Sequence, residues 1–368
     1  MTPPRILMAM SGGVDSSVAA ALLVEAGFEV VGATMKTFCY EENSGPTRTC
    51  CGLDGILDAR RVADHLDIPH YVFDVEEDFT RDVIDDFVSE YAQGRTPNPC
   101  VRCNSNTKFR DLLKRGRALG CQGIASGHYV RMERSAQGEP RLLRGLDRGK
   151  DQAYFLWGLP PDILPLLHFP VGHLTKHEVR ERAEALGLVT AQKPESQEIC
   201  FVPAGDYRDL LGRRLGARHP ALEPGPLVSW TGEVLGEHTG YANYTIGQRK
   251  GLGGGFSEAL YVIETRPSTR EVVVGPLEAL SSEVIRVKDL NWLTLPPKPG
   301  DTVEIQIRHR AKAAPAIVES RTETELFARF RMPQRAVTPG QSAGIFQNDW
   351  LLGGGRIHRL PVEPTQAV

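Results

Sequence analysis

Residues 5–17 of the 368-residue chain read RILMAMSGGVDSS, a short apolar run that ends at a Ser-Gly-Gly turn. The run predicts a buried strand at 5–10, and SSVAAALLVEA, which ends before Gly27, predicts a helix at 16–26. Further strands are predicted at 28–34, 70–74 and 121–126, and further helices at 54–66, 76–93 and 105–119. This alternation indicates an α/β fold with a doubly wound, Rossmann-like parallel sheet.

The pattern changes near residue 205. A short helix is predicted at 206–214, and a Pro/Gly-rich connection follows at 221–226. Short strands with turn signals come next, at 261–264, 272–275 and in the alternating VEIQIR of 303–308. We therefore expect three domains: an N-terminal domain at 1–204, a small β-rich central domain at 205–275, and a C-terminal β-barrel at 276–368.

Composition places the chain among ordinary globular proteins, because 41% of its residues are hydrophobic and 24% are charged. The net charge of −3 gives no overall basic field. No apolar stretch approaches the ~18 residues of a membrane span, and the N-terminus lacks the pattern of a signal peptide. No membrane partner is expected, and the expected location is the cytoplasm.

The loop from Ser11 to Ser16 lies between a predicted strand and a predicted helix. A helix N-terminus offers unpaired N–H groups to an anion, glycines allow close approach, and the hydroxyls of Ser11, Ser16 and Ser17 can add donors. Asp15 would repel a phosphate, so we interpret it as an N-cap or as a carboxylate that helps to hold Mg²⁺. The competing interpretation is a capped glycine turn without a ligand.

Seven cysteines, an odd number, argue against a structural disulfide framework. Cys103 comes just before a predicted helix, whose N-terminus would favour its thiolate, and Cys200 follows 97 residues later at a strand-like end. Both stand in polar, turn-rich segments and are candidates for paired redox chemistry. Cys39 and Cys121 are interpreted as core thiols, and Cys50 and Cys51 remain undecided.

The SGGVDS motif resembles the PP-loop ATP pyrophosphatases, whose folds belong with the adenine nucleotide alpha hydrolases. Together with the cysteines, the chain resembles the tRNA-specific 2-thiouridylases over nearly its whole length. The motifs that carry the resemblance are SGGVDS (11–16), GRTPNP (94–99), CNSNTKF (103–109), SGHYVR (126–131), KDQAYFL (150–156), ESQEICF (195–201), YTIGQRKGL (244–252) and PGQSAGIF (339–346).

This resemblance implies ATP-dependent 2-thiolation of the wobble uridine in the anticodons of tRNAs for Lys, Glu and Gln. ATP, with Mg²⁺, would adenylate O2 of the uridine, and Cys200 would receive sulfur as a persulfide from an upstream donor, a cysteine desulfurase or a relay protein. The persulfide would displace AMP at C2. Cys103 would then attack the persulfide and leave a Cys103–Cys200 disulfide.

The resemblance also assigns binding residues, with Asp15 as a catalytic residue beside the two cysteines. Contacts to ATP fall on Ala9, Met10, Ser11, Gly12, Gly13, Val14, Asp15, Ser16, Met35 and Gly127. Contacts to the target base and to tRNA fall on Pro97, Asn98, Pro99, His128, Lys150, Asp151, Gln152, Arg308, His309 and Gln341. Arg308, Arg310 and Lys312 cluster on a predicted C-terminal strand, as phosphate contacts would require, although a solvated strand face would look the same.

One departure concerns Cys100, because many bacterial members of the family have Asp at this position. Cys100, Cys103 and Cys200 offer three thiolates, as in the tRNA thiolases that carry a [4Fe–4S] cluster, so a cluster that delivers the sulfur is an alternative to the persulfide. Structural zinc would want a fourth ligand. Two other hypotheses are a PP-loop synthetase for a small metabolite and a zinc-stapled tRNA-binding protein with a degenerate loop.

Overall fold

The computed structural model describes residues 3–37, 53–194, 199–202, 206–253, 256 and 258–361. The chain falls into two compact units. The first contains the described residues of Met1–Asp86, Pro99–Tyr207 and Asp349–Leu351, and the second those of Phe87–Asn98, Arg208–Asn348 and Leu352–Val368.

The strands and helices agree in kind with most of the predicted segments, and their bounds shift by a few residues. The strands are β1 Arg5–Ala9, β2 Glu29–Lys36, β3 His70–Asp74, β4 Gly123–Ser126, β5 Val130–Arg134, β6 Pro140–Arg144, β7 Leu167–His168, β8 Gly225–Ser229, β9 Val234–His238, β10 Tyr261–Arg266, β11 Glu271–Gly275, β12 Ser281–Trp292, β13 Thr302–Gln306, β14 Ala314–Arg321, β15 Glu325–Arg335, β16 Ser342–Gln347 and β17 Trp350–His358. The α-helices are α1 Val14–Glu25, α2 Leu53–His65, α3 Glu76–Phe79, α4 Asp85–Ala92, α5 Pro99–Arg102, α6 Leu112–Ala118, α7 Lys176–Ala185 and α8 Tyr207–Leu215.

The first unit is built on a parallel sheet with the strand order β3-β2-β1-β4-β7. Ile6 and Met8 of β1 point into a core cluster that they share with α1, α2 and α7. Leu7, on the opposite face of the strand, lies against Gly116 of α6. Helices therefore cover both faces, and the predicted doubly wound sheet is confirmed.

One helical stretch begins earlier than predicted. We expected a helix at 105–119, but α5 opens at Pro99 and continues through Cys103–Asp111 into α6. Proline is well suited to the first position of a helix, because its missing N–H is not needed there. Residues 103–111 are wound with wider, i→i+5 hydrogen bonds, a form that recurs at functional sites.

The antiparallel hairpin of β5 and β6 was not predicted from the sequence. Its strands pair from Val130 with Arg144 to Arg134 with Pro140. Leu143 also pairs with Trp350, and Arg141 lies over the Trp350 ring at 4.1 Å. Residues 349–351 thus complete the first unit from a distant part of the chain.

The second unit holds two β structures. A four-stranded sheet has the order β10-β11-β8-β9. Six further strands follow the order β12-β15-β14-β13-β16-β17, and pairing of β12 with β17 closes them into a barrel. The predicted β-rich central part and C-terminal barrel are confirmed.

The predicted strand 303–308 ends at Gln306, two residues early. Gln306 is buried, and its Nε2 donates to the carbonyls of Arg308 and His309 at 3.1 Å and 2.8 Å. These bonds hold the turn that follows β13. Arg308, Arg310 and Lys312 lie between β13 and β14, so their predicted location on a strand was wrong.

Across the described ranges, no helix is long and apolar enough to span a membrane.

Candidate active site

A cavity of about 320 Å³ lies in the first unit where β1, β2 and β4 end. Ligands of parallel α/β sheets bind at this edge, because the strands deliver their following loops to it. The lining includes the predicted nucleotide residues Ala9, Met10, Ser11, Asp15, Ser16, Met35 and Gly127, the predicted tRNA residues Pro99, His128 and Gln152, and the three cysteines Cys100, Cys103 and Cys200. One cavity therefore joins the candidate phosphate loop to the candidate sulfur-carrying residues.

The loop after β1 is held by its own serines. The hydroxyls of Ser16 and Ser17 each donate to the Gly13 carbonyl at 2.9 Å, and the Ser11 N–H donates to Ser16 Oγ at 3.3 Å. Ser17 is fully buried, so its predicted role as a ligand donor was wrong. Gly13, rather than Asp15, occupies the N-cap of α1. Asp15 lies in the first turn of the helix, and its predicted role as N-cap was also wrong.

Two glycines near this loop permit close backbone packing. A Cβ at Gly12, whose φ is +69°, would lie 2.1 Å from the Gly55 carbonyl oxygen in α2. A Cβ at Gly127 would lie 2.6 Å from the backbone nitrogen of Ser16. Gly12, Gly13 and Val14 do not line the cavity, and Val14 packs in the core. Gly12 therefore shapes the loop through its close packing against α2 and not through contact with the cavity.

The carboxylate of Asp15 is held by two residues that we did not predict. Lys176 Nζ lies 2.7 Å and 2.9 Å from its two oxygens, and the Tyr129 hydroxyl donates to Oδ1 at 2.6 Å. The Lys176 side chain is only 12% exposed. This ammonium offsets the carboxylate charge that a polyphosphate would otherwise meet. A signal was present in the sequence, since Lys176 opens a helix where a positive charge is disfavoured.

His128 lies in a buried aromatic environment. Its ring packs against Phe109 and Phe169, with centroids 5.7 Å and 6.2 Å away, and its Nδ1 is 2.7 Å from Ser126 Oγ. Burial, and secondarily the charge of Lys108, hold the pKa of His128 well below its ordinary value. His128 therefore stays neutral at neutral pH, so it can offer hydrogen bonds without adding a positive charge.

The residues at 150–152, which are predicted to contact tRNA, form hydrogen bonds with other residues of the first unit. Gln152 Oε1 accepts from the Tyr129 N–H at 3.0 Å, and Gln152 lines the cavity. Asp151 accepts from Arg144 Nη1 at 2.6 Å and does not line the cavity. The Lys150 N–H donates to the Asp147 carbonyl at 3.1 Å, and its side chain is half-buried.

The helical stretch from Pro99 presents one face to the cavity. Cys100, Asn104, Lys108 and Leu112 line it at spacings of four residues, and Cys103 lines it beside Asn104. Cys103 lies inside this helical stretch, so its predicted position just before a helix was wrong. It is the fifth residue of the stretch, beyond the first turn in which a helix N-terminus acts on a charge.

Cys200 enters the cavity from a turn rather than from the predicted strand end. The Val202 N–H donates to the Ile199 carbonyl at 2.9 Å, and Phe201 packs edge-on against Phe79. Cys200 is half-buried, as is Cys103. Cys121 is 4% exposed, which confirms the interpretation of a core thiol, and burial raises its pKa. Cys39, Cys50 and Cys51 lie outside the described residues.

The described residues offer no ready-made set of ligands for a metal cluster. Within the described part of the chain, no group of three His, Cys, Asp or Glu side chains is arranged to hold a metal ion. Cys100, Cys103 and Cys200 share the cavity without forming such a group. The described residues therefore give no support for a three-thiolate cluster.

The remaining predicted tRNA residues belong to the second unit. Gln341 Nε2 donates to the carbonyls of Thr96 and Pro97, both at 3.0 Å, which places Gln341 beside the segment that contains Pro97 and Asn98. Arg308 and His309 are exposed in the turn after β13, and Arg308 Nη2 donates to the Arg335 carbonyl at 2.8 Å.

Three protein-family models match the chain in succession. The model described as tRNA methyl transferase HUP domain matches residues 4–204, the tRNA methyl transferase PRC-barrel domain matches 212–276, and the aminomethyltransferase beta-barrel domain matches 282–357.

Curated relatives match over nearly the full length. A protein of Thermus thermophilus named tRNA-specific 2-thiouridylase MnmA is 51% identical over 365 residues, covering 96% of this chain and 95% of its own. Proteins of the same name from Carboxydothermus hydrogenoformans and Rhodospirillum centenum are 48% and 46% identical, and cover 96% and 99% of this chain and 98% and 94% of their own.

Solved structures are more distant. A 4-thiouridine synthetase in complex with RNA and ATP has a TM-score of 0.34 and 14% identity, covering 58% of this chain and 51% of its own. The NMN synthetase of Francisella tularensis has a TM-score of 0.31 and 18% identity, covering 58% of this chain and 76% of its own.

Proposed function

The chain belongs to the tRNA-specific 2-thiouridylase family, and from this premise we propose that it thiolates the wobble uridine of tRNAs for Lys, Glu and Gln at C2. It is an ATP-dependent tRNA sulfurtransferase. The observation that carries the finer proposal is the single cavity lined by the phosphate loop, by Cys103 and by Cys200. A synthetase for a small metabolite would not require two cysteines beside its nucleotide.

In the first step, the uridine O2 attacks the α-phosphate of ATP and expels pyrophosphate. Ser11, Asp15 and Ser16 line the cavity beside the N-terminus of α1, and this helix end would receive the phosphates, because it carries unpaired N–H groups and partial positive charge. Magnesium would neutralise phosphate charge when ATP is bound. Asp15 and Ser16 would be its oxygen ligands on this chain, and Lys176 supplies a fixed positive charge beside Asp15.

In the second step, sulfur arrives on Cys200 as a persulfide from an upstream cysteine desulfurase or relay protein. The terminal sulfur attacks C2 of the adenylated uridine and expels AMP, which leaves the base joined to Cys200 through two sulfurs. The Cys103 thiolate then attacks Cys200 Sγ and breaks the sulfur–sulfur bond. The tRNA leaves with its thiocarbonyl, and an external thiol reductant restores the Cys103–Cys200 disulfide to two thiols.

The surroundings of the cavity support this order of events. Lys108 shares the lining with Cys103 and carries a positive charge that favours a neighbouring thiolate. His128, which also lines the cavity, stays neutral and can form a hydrogen bond with the base. The [4Fe–4S] alternative draws no support from the arrangement of the described residues, and we assign no step to a cluster. Cys100 instead is proposed to be dispensable for the chemistry.

The proposal also covers the rest of the tRNA. Pro97, Asn98 and Pro99 would contact the target base, and Lys150 to Gln152 would contact the nucleotides around it. Arg308 and His309, exposed in the turn after β13, suit contacts to backbone phosphates. The enzyme would act in the cytoplasm.

The test uses an unmodified tRNA transcript, ATP with Mg²⁺ and a persulfide-generating desulfurase with cysteine. Nucleosides from the digested tRNA are separated, and 2-thiouridine is quantified by mass spectrometry. Wild-type enzyme should place one 2-thiouridine at the wobble position, whereas Cys200→Ser should make none and should still bind tRNA. Cys121→Ala is the matched control, because it removes a thiol that lies outside the cavity.

Each further variant decides one part of the mechanism. Cys100→Ser should retain activity under the persulfide route, and a complete loss of activity would favour three thiolates acting together. Normal 2-thiouridine from Cys200→Ser would refute the assigned sulfur carrier. Pyrophosphate release without thiolation in that variant would place its defect after adenylation, as proposed.

A further inference from the structure

Glu90, in α4, is a buried carboxylate in the second unit that the reaction steps above do not use. Its side chain is 5% exposed and accepts from Arg95 Nε at 2.8 Å and from Arg356 Nη1 at 2.9 Å. A second bond joins Arg95 Nη2 to the other oxygen of Glu90. The Arg95 and Arg356 side chains are themselves 22% and 13% exposed. Burial of a carboxylate with two guanidiniums is costly unless the geometry is well satisfied, so this network fixes all three residues.

The segment just after this network is fixed as well. The Thr96 N–H donates to the Pro339 carbonyl at 2.9 Å, and Gln341 Nε2 donates to the carbonyls of Thr96 and Pro97. Thr265 Oγ1 donates to the Gly94 carbonyl at 2.7 Å. Each residue from 94 to 97 therefore has its backbone or side chain bound to another part of the second unit.

Gly340 shows how closely this segment is packed. Its φ is +92°, and a Cβ there would lie 2.8 Å from Arg95 Cβ and from the Thr96 nitrogen and oxygen. Gly340 also donates its N–H to the Ile357 carbonyl at 2.8 Å, and Ile357 donates back to Gln341 at 2.8 Å. The 339–341 turn is thereby tied to β17, the strand that also carries Arg356.

We propose that Glu90 and Gln341 are positioning residues that preset segment 94–97 for the target uridine before tRNA arrives. This proposal rests on the proposed function, in which Pro97 to Pro99 contact the base. A preset segment lowers the ordering cost of substrate binding and aligns the base for adenylation. Most of the tRNA affinity comes from phosphate contacts elsewhere, so the effect falls on turnover rather than on binding.

The test compares Gln341→Met and Glu90→Gln with the wild type. Both retain side-chain length, and Gln341→Met leaves no buried charge without its partner, so it remains informative if Glu90→Gln fails to fold. Glu325→Gln is the matched control, because Glu325 also sits between two basic residues of the second unit, Arg286 and Lys288. No hydrogen bond or ion pair of the described residues joins Glu325 to segment 94–97.

Two measurements are made on each protein. Hydrogen exchange followed by mass spectrometry reports on peptides that cover 94–98, and steady-state thiolation gives kcat and KM for tRNA at saturating ATP. We expect faster exchange in both variants, a loss of kcat of about tenfold or more, and a change in KM below about threefold. ATP affinity should be unchanged, and Glu325→Gln should match the wild type in both measurements.

Three outcomes would overturn the proposal. If hydrogen exchange at 94–98 and kcat in both variants matched those of the wild type, the segment would need no such positioning. A lower melting temperature with unchanged kcat would reduce the residues to a structural role. If the wild-type enzyme made no 2-thiouridine, the proposed function itself would be wrong. Hydrogen exchange at 94–98 distinguishes this case, because it would still respond to the variants.

Discussion

Lys176 Nζ lies within 2.9 Å of both carboxylate oxygens of Asp15, although the two residues are 161 positions apart in the chain. Lys176 opens α7, where the helix dipole disfavours a positive charge, and its side chain is largely buried. The pair therefore costs the helix some stability. In return it places a fixed ammonium beside the phosphate loop.

Replacing Lys176 with Met should weaken ATP binding by about tenfold or more, equivalent to about 1.4 kcal/mol, because the Asp15 carboxylate would then repel the phosphates. Isothermal titration with ATP-Mg²⁺, together with AMP release in the presence of tRNA, measures the effect. Lys36→Met is the control, since its ion pair with Asp74 is largely at the surface and contributes at most about 1 kcal/mol. ATP affinity and AMP release at wild-type levels in Lys176→Met would contradict the role of this ammonium.

Gly12→Ala should disrupt the phosphate loop by more than the strain of a left-handed backbone conformation alone would. Gly27 has a similar φ of +80°, but a Cβ there meets nothing within 4 Å. Gly27→Ala should therefore show only the strain of left-handed backbone, about 1–2 kcal/mol. Gly12→Ala adds the clash with the Gly55 carbonyl. Thermal unfolding with and without ATP-Mg²⁺ separates the two: Gly27→Ala keeps its stabilisation by nucleotide and Gly12→Ala loses it. Equal behaviour of the two variants would argue against the packing of α2 on the loop.

His238 should make the stability of the second unit depend on pH. It accepts the Gly240 N–H at Nδ1, 3.0 Å away, and its Nε2 is 2.8 Å from the Arg270 carbonyl, so the buried ring is neutral. Burial lowers its pKa below the ordinary value of about 6.5, against a smaller opposite effect of the Arg270 carbonyl. The unfolded chain thus takes up a proton below about pH 6.5 that the native site resists. Its contribution to stability is complete above that pH and declines as the pH falls.

Urea unfolding of the wild type and His238→Gln at pH 7.5 and pH 5.5 measures this contribution. At the higher pH the variant should be less stable by about 1–3 kcal/mol, because buried partners lose their hydrogen bonds. The difference should shrink at the lower pH, by at most about 1.4 kcal/mol per pH unit. A difference that widens with acid would mean that the native ring is the better proton acceptor.

Local patterns were enough to predict the sheet of the first unit and the phosphate loop. The apolar run before Ser11 and the helix after it follow from periodicity and from the glycine turn, and the alternating Val303 and Ile305 marked a barrel strand. Errors arose where short-range patterns compete. Arg308, Arg310 and Lys312 continue the alternation of β13, but buried Gln306 ends the strand by bonding the backbone of the turn.

Contacts between distant residues could not be predicted in this way. Lys176 with Asp15, and Gln341 with Thr96 and Pro97, join segments 161 and about 245 positions apart, and nothing in the local sequence of either member specifies the other. The meeting of Cys103 with Cys200 in one cavity was expected from their polar, turn-rich segments and from the family resemblance, and not from any local pattern that links the two. The helical stretch that begins at Pro99 could have been predicted, since proline commonly opens a helix.

The central claim is that Cys200 delivers its sulfur to the tRNA and that Cys103 releases it. Cys103→Ser enzyme, loaded with persulfide and freed of reductant, is mixed with ATP-Mg²⁺ and tRNA for a single turnover. Denaturing electrophoresis should show a covalent tRNA–enzyme adduct that requires ATP, and an added thiol should release tRNA that contains 2-thiouridine. Free 2-thiouridine at the wild-type rate, with no adduct, would contradict the account.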